Sequence, residues 1–152
     1  MNKEELKTYL GKFYPSNKLE ETMDFSVLFV EKHELLEVAM LLRDNSETKF
    51  DFLFCETAID KSTHFEVVYH LTSTIFRHCM VLKVILQREE MPEIESVSGI
   101  WKAAELFECE IFDLFGIKFL HHETLRRIFL SNDWVGYPLR KDYKDNINVV
   151  TL

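Results

Sequence analysis

His64-Phe65-Glu66-Val67-Val68-Tyr69-His70-Leu71 puts Phe65, Val67, Tyr69 and Leu71 on one side of an extended chain and His64, Glu66, Val68 and His70 on the other. That period of two marks a β-strand with one face on a core. Residues 80–86 repeat the pattern, with Met80, Leu82, Val84 and Leu86 set against Val81, Lys83 and Ile85. Upstream, residues 50–58 are aromatic-rich and read as a third strand. The links at 59–63 and 72–78 are short enough for antiparallel hairpins or a meander. His64, Glu66 and His70 share a face; a solvated sheet surface is the plain explanation, a metal cluster the sharper one.

Helical patterns flank these strands. Leu6, Tyr9, Leu10 and Phe13 stand at helical spacing, weakened by Gly11 and ended by Pro15. Residues 24–30 are short, β-branched and aromatic, as a strand requires. Residues 32–43 place Leu35, Leu36, Ala39 and Leu42 on one helical face. Ser96 or Ser98 is suited to cap a helix over residues 99–115, and Gly116 suits the left-handed position that ends many helices. Residues 117–120 then extend, and Ile128-Phe129-Leu130 is a candidate short strand. The order predicts an α+β fold: a two-layer domain with a mixed or antiparallel sheet of about four strands packed by helices, plus an extended C-terminal arm. The boundary falls near Ser131, giving a domain over residues 1–130 and an arm over residues 131–152.

Composition excludes several function classes. A chain of 152 residues is long enough for one domain with its own core. A net charge of −8 opposes nucleic-acid binding and adhesion to anionic lipid. No stretch approaches the ~18 apolar residues of a membrane span, and the N-terminus lacks a signal core. Cys55, Cys79 and Cys109 are isolated and odd in number, so they form neither a disulfide framework nor a cluster ligand set; reduced, mostly buried thiols are expected. The four glycines are scattered, with no phosphate-cradling motif. The thirteen phenylalanines fit a bulky core or, in part, an interface.

The region from Glu108 to Tyr143 is dense in charge yet not arranged for catalysis. Glu105, Glu108, Glu110 and Asp113 crowd the end of the third helix. Like charges at that spacing repel, and carboxylates at a helix C-terminus oppose its dipole. Arg126, Arg127, Arg140 and Lys141 are available to offset them. A solvated acidic face, an internal network clamping the tail to the helix, and pairing across subunits all remain open. His121 and His122 are adjacent, so in an extended chain they diverge; a turn or interface role competes with a metal site. Cys109 lies mid-helix beside acids, poor surroundings for a reactive thiolate. No catalytic, cofactor-binding or metal-ligating residue is assigned.

Glu108, Glu110, Asp113, Gly116, Ile117, Phe119, His122, Leu125, Arg126 and Arg127, with Asp133-Trp134, Gly136 and Pro138-Leu139-Arg140-Lys141-Asp142-Tyr143, resemble the signature of the 30 kDa subunit family of respiratory complex I, the C subunit of bacterial NADH-quinone oxidoreductase. Cys109, His121, Glu123 and Tyr137 depart from that signature. The resemblance implies a non-catalytic peripheral-arm subunit of a proton-translocating NADH-quinone oxidoreductase. It implies docking on the hydrogenase-like large (49 kDa-type) subunit near the quinone site, support of electron transfer from NADH to quinone, and contact with other peripheral-arm subunits. It further implies no cofactor in this chain (flavin, iron–sulfur clusters and quinone belonging to the parent complex), no nucleic acid, and a place on the cytoplasmic side of the bacterial inner membrane, held there only through the complex. Glu108, Glu110, Asp113, Gly116, His122, Arg126, Arg127, Asp133, Trp134, Pro138, Arg140, Lys141, Asp142 and Tyr143 are then the interface or structural residues. The alternative is the equivalent subunit of a membrane-bound hydrogenase or formate hydrogenlyase-type complex. A stand-alone metal or redox enzyme using His121, His122 and Cys109 is the third reading.

Overall fold

The computed structural model describes residues 3–14 and 18–145. Helix α1 (Lys3–Leu10) leads to strands β1 (Leu19–Glu21) and β2 (Ser26–Val30). A 3-10 turn (Lys32–Glu34) runs into α2 (Leu35–Asp44), followed by β3 (Phe52–Asp60), β4 (His64–Thr72) and β5 (Cys79–Gln87). Then come β6 (Glu93–Glu95), α3 (Ala104–Phe115) and β7 (Lys118–Leu120). The fold is a two-layer α+β domain, as expected.

The main sheet has five strands in the order β1-β2-β5-β4-β3. β3, β4 and β5 form the antiparallel meander, while β2 joins β5 in parallel. α2 starts the crossover that this parallel pairing demands. β6 and β7 pair in parallel as a separate two-stranded sheet. β1 and β6 are only three residues long, too short to carry a period, and were absent from the expected strands.

One face of the main sheet carries the core. Leu28, Phe65, Val67, Tyr69, Leu71, Met80, Leu82 and Val84 pack with Leu6 and Leu10 of α1, Leu35, Ala39 and Leu42 of α2, and Ile111 and Phe115 of α3. The inward sets of β4 and β5 are those that alternation gave. The opposite face has a small apolar patch, Val27, Val68 and Val81, flanked by Phe25 and Phe29. His64, Glu66 and His70 lie on that outer face, where Lys83 bonds Glu66 at 3.0 Å and His70 stacks edge-on with Phe25.

Four local expectations are corrected. α3 begins at Ala104 rather than near Gly99, because residues 97–103 form turns, including Trp101 N–H to Val97 O at 2.9 Å. Neither Ser96 nor Ser98 caps it; Ser96 Oγ instead donates to Glu108 at 2.5 Å. Ile128-Phe129-Leu130 is no strand, since its three N–H groups converge on one carboxylate oxygen. The cysteines are not uniformly sheltered: Cys109 is buried, Cys55 half-buried and Cys79 exposed.

Candidate functional site

α3 ends where Gly116 takes a left-handed conformation, φ +70°, and its N–H returns to Phe112 O at 3.0 Å. The position needs glycine for a second reason. A Cβ there would sit 2.5 Å from the Tyr137 ring, so the arm packs directly on the helix end.

Asp113, fully buried in the last turn, organises the chain that follows. Its Oδ2 accepts the N–H groups of Ile128, Phe129 and Leu130 at 3.0, 2.8 and 3.0 Å. Its Oδ1 pairs with Arg127 at 2.9 Å. Burial alone would raise this carboxyl, but the three amides and the guanidinium hold it below the usual aspartate range. Successive N–H groups aimed at one oxygen form an anion nest, here filled by the protein itself. Arg127 also reaches Trp134 O at 3.3 Å and lies 5.7 Å from the Tyr137 ring centre.

Arg140 closes the other side. Its guanidinium lies between the rings of Phe65 and Tyr137, 5.1 and 4.8 Å from their centres. Nε donates to Phe115 O at 2.6 Å and Nη2 to Glu90 O at 2.8 Å. A cation on the last carbonyls of α3 favours the helix dipole and offsets its acidic end. Arg140 thus does so through carbonyls, not through the glutamates. Leu139 N–H adds a bond to Leu114 O at 3.1 Å. Next along the chain, Lys141 N–H donates to Asp60 Oδ2 at 2.9 Å, and Arg88 bridges Asp60 and Asp142 at 2.5 and 2.9 Å. Burial raises the Asp60 carboxyl, yet these donors outweigh it and lower its pKa to about 2. Tyr143 packs against Gly136, where a Cβ would meet its ring at 2.8 Å.

The remaining signature residues divide. Glu108 is buried and accepts from Ser96 Oγ and from Val97 N–H at 2.7 Å. The His122 side chain is almost wholly buried; Nδ1 accepts from Thr124 N–H at 3.1 Å, which leaves Nε2 to donate to Glu105 O at 3.0 Å. His121 points outward to Glu95 at 2.7 Å, so the two histidines diverge. Among the described residues no group of three or more His, Cys, Asp or Glu is placed to hold a metal ion. Glu110, Arg126 and Asp133 are exposed, Trp134 and Pro138 half-buried. Residues 146–152 of the expected arm lie outside the described residues.

This frame pushes apolar side chains outward: Phe129 is 65% exposed, Val135 86% and Leu139 51%, with Leu106 of α3 at 61%. Sequence reasoning singled out the charges; of these four only Leu139 was matched, within the run from Pro138 to Tyr143, and none was read as an exposed anchor. The signal was present in the apolar residues spaced through an otherwise polar arm. Among the described residues no helix is long and apolar enough to cross a membrane.

Residues 28–148 match the family model for the respiratory-chain NADH dehydrogenase 30 Kd subunit. The chain is 37% identical over 137 residues to the NADH-quinone oxidoreductase C subunit of Moorella thermoacetica, covering 89% of this chain and 90% of that one. It is 44% identical over 120 residues to the NADH-quinone oxidoreductase C/D subunit of Bacteroides thetaiotaomicron, covering 70% of this chain but only 23% of that much longer relative. A solved chain from the membrane-bound sulfane sulfur reductase, an archaeal respiratory membrane complex, superposes with a TM-score of 0.77 over 93% of this chain and 85% of its own length, at 23% identity, and so shares the fold. The matched segment takes in both the Asp113 nest and the Arg140 sandwich, and the chain belongs to the family of the respiratory-chain NADH dehydrogenase 30 kDa subunit.

Proposed function

We propose that this chain is a non-catalytic peripheral-arm subunit of a proton-translocating NADH-quinone oxidoreductase. It docks on the hydrogenase-like large (49 kDa-type) subunit near the quinone site and supports electron transfer from NADH to quinone without carrying flavin or iron–sulfur cluster itself. It reaches the cytoplasmic face of the membrane only through the complex. Family membership supports this reading, as do the much longer C/D relatives, of which this chain's match spans less than a quarter.

The observation that carries the docking is the division of labour around α3. The signature charges of Asp113, Arg127 and Arg140 are occupied inside the domain, while Phe129, Val135 and Leu139 project from the segment they immobilise. Apolar side chains held on a pre-ordered frame lose little entropy on binding, and clustered apolar and aromatic residues serve as interface anchors. The test is recovery of partners with an affinity-tagged chain from gently solubilised native membranes. The wild-type chain is expected to bring down a 49 kDa-type subunit, and a Phe129→Asp, Val135→Asp double variant to lose it while melting at the wild-type temperature. Undiminished recovery by the variant rejects this surface. A nickel-ligating large subunit in the pull-down assigns the chain to a hydrogenase-type complex instead, and stoichiometric metal in the purified chain assigns it to a metal enzyme.

A further inference from the structure

If β3 alternated without interruption, Leu53, Cys55 and Thr57 would face the core. A bulge between Leu53 and Cys55 changes the phase by one residue. Glu56 therefore turns inward and is 3% exposed. There it stands opposite Tyr69 of β4, also wholly buried, under α3, which contributes Glu108.

Among the described residues, neither carboxyl oxygen of Glu56 has a hydrogen-bond partner, nor does the Tyr69 hydroxyl. Glu108 does have partners, in Ser96 Oγ and Val97 N–H. The ionisable groups that act on Glu56 are the acid Glu108 and the neighbouring Cys55 thiol, with no lysine or arginine among them in the described residues. Behind Glu108, His122 of the turn after β7 approaches its carboxylate at 3.7 Å.

An ionised carboxylate buried with neither donor nor cation is so costly that the group takes up a proton instead. Two neighbouring buried acids cannot both ionise, and the donors decide which one does. Glu108 has them and Glu56 has none. We propose that Glu56 and Glu108 form an internal proton-binding site, with Glu56 holding the proton at neutral pH and giving it up only when the packing of α3 on β3 loosens. Burial and the Glu108 charge both push Glu56 well above the ordinary glutamate value, and burial pushes Glu108 upward as well. The Tyr69 phenol is raised by burial first and then by both acids.

A raised acid is neutral in the fold while the unfolded chain ionises. The site therefore lowers stability as pH rises from the ordinary glutamate value, about 4.3, towards the folded value, and adds no further loss above it. The inference is independent of the docking surface and is tested on the whole chain alone. In protein labelled with 13C at glutamate side-chain carboxyls, one signal is expected to keep the position of a protonated acid at pH 7 and to vanish in Glu56→Gln. The melting temperature of the wild-type chain is expected to fall between about pH 5 and pH 8 more steeply than that of Glu56→Gln, with the variant melting higher at the upper end. Titration of every glutamate near the ordinary value overturns the proposal, as does a folded Glu56→Gln that melts lower at high pH. Should the variant fail to fold, the wild-type titration still decides.

Discussion

Asp113 and Glu56 are both buried carboxyl groups beside the same helix, and their surroundings are opposite. Asp113 has three backbone amides and a guanidinium within bonding distance; Glu56 has no partner among the described residues. Burial is common to both and so does not set their charge. The donors do: they hold one carboxyl below its ordinary range, and their lack leaves the other far above it. The ionised group fixes a loop in place. The other gives the domain a response to alkali.

The contrast breaks most easily at Asp113. Asp113→Asn removes the charge and puts an NH2 group either against the three amides or against Arg127, so a loss of about 3–5 kcal/mol is expected in urea unfolding. Because the folded Asp113 is lowered, its contribution is complete above the ordinary aspartate value of about 3.9 and disappears as pH falls through the folded value. The Asn variant lacks that acid-side decline. A loss below about 1 kcal/mol would erase the distinction between the two carboxyls.

Arg140→Ala comes next. It removes bonds to Phe115 O and Glu90 O and the cation between Phe65 and Tyr137, with an expected loss of about 2–3 kcal/mol read as a lower melting temperature. An unchanged melt with weakened partner recovery would give Arg140 a purely external role. Glu56→Gln should act in the opposite direction, raising the melting temperature relative to wild type near pH 8 more than near pH 4, because the raised Glu56 carboxyl costs stability only where the unfolded chain ionises. At the small end, Glu105→Gln removes the surface ion pair with Lys102 and leaves an oxygen for the long bond from Thr124 Oγ1, and no measurable change in the melt is expected.

How legible these regions were follows from the range of the forces involved. The inward faces of β4 and β5 were readable because alternation is local, and Gly116 because a helix end constrains its own residue. The Asp113 nest was half readable: Asp113 stood among the crowded acids and Arg127 among the bases available to offset them, with no pairing assigned, yet Ile128-Phe129-Leu130 looked like a strand because composition does not say where three amides point. Arg140 was recognised as an offset to the helix, though not as a cap on its carbonyls, since that contact spans 25 residues. β1 and β6 exist only through pairing with β2 and β7. Glu56 was hidden by the bulge. A strand with regular phase would have turned it outward, where an acid attracts no notice.

The parallel seam between β2 and β5 also dictates an order of events in time. β3, β4 and β5 can zip together through two short hairpins, whereas Val27 meets Val81 only after the intervening chain has been brought round. Closing that long loop is the slow, entropically expensive step. Mutations in the meander should therefore alter the folding rate, and mutations in β2 chiefly the unfolding rate, which stopped-flow φ-values on Val67→Ala and Val27→Ala would separate. A chain emerging in sequence from a ribosome would carry β2 paired only with the three residues of β1 until β5 has been made, leaving the other edge of the apolar run Val27-Leu28-Phe29-Val30 open for the whole interval.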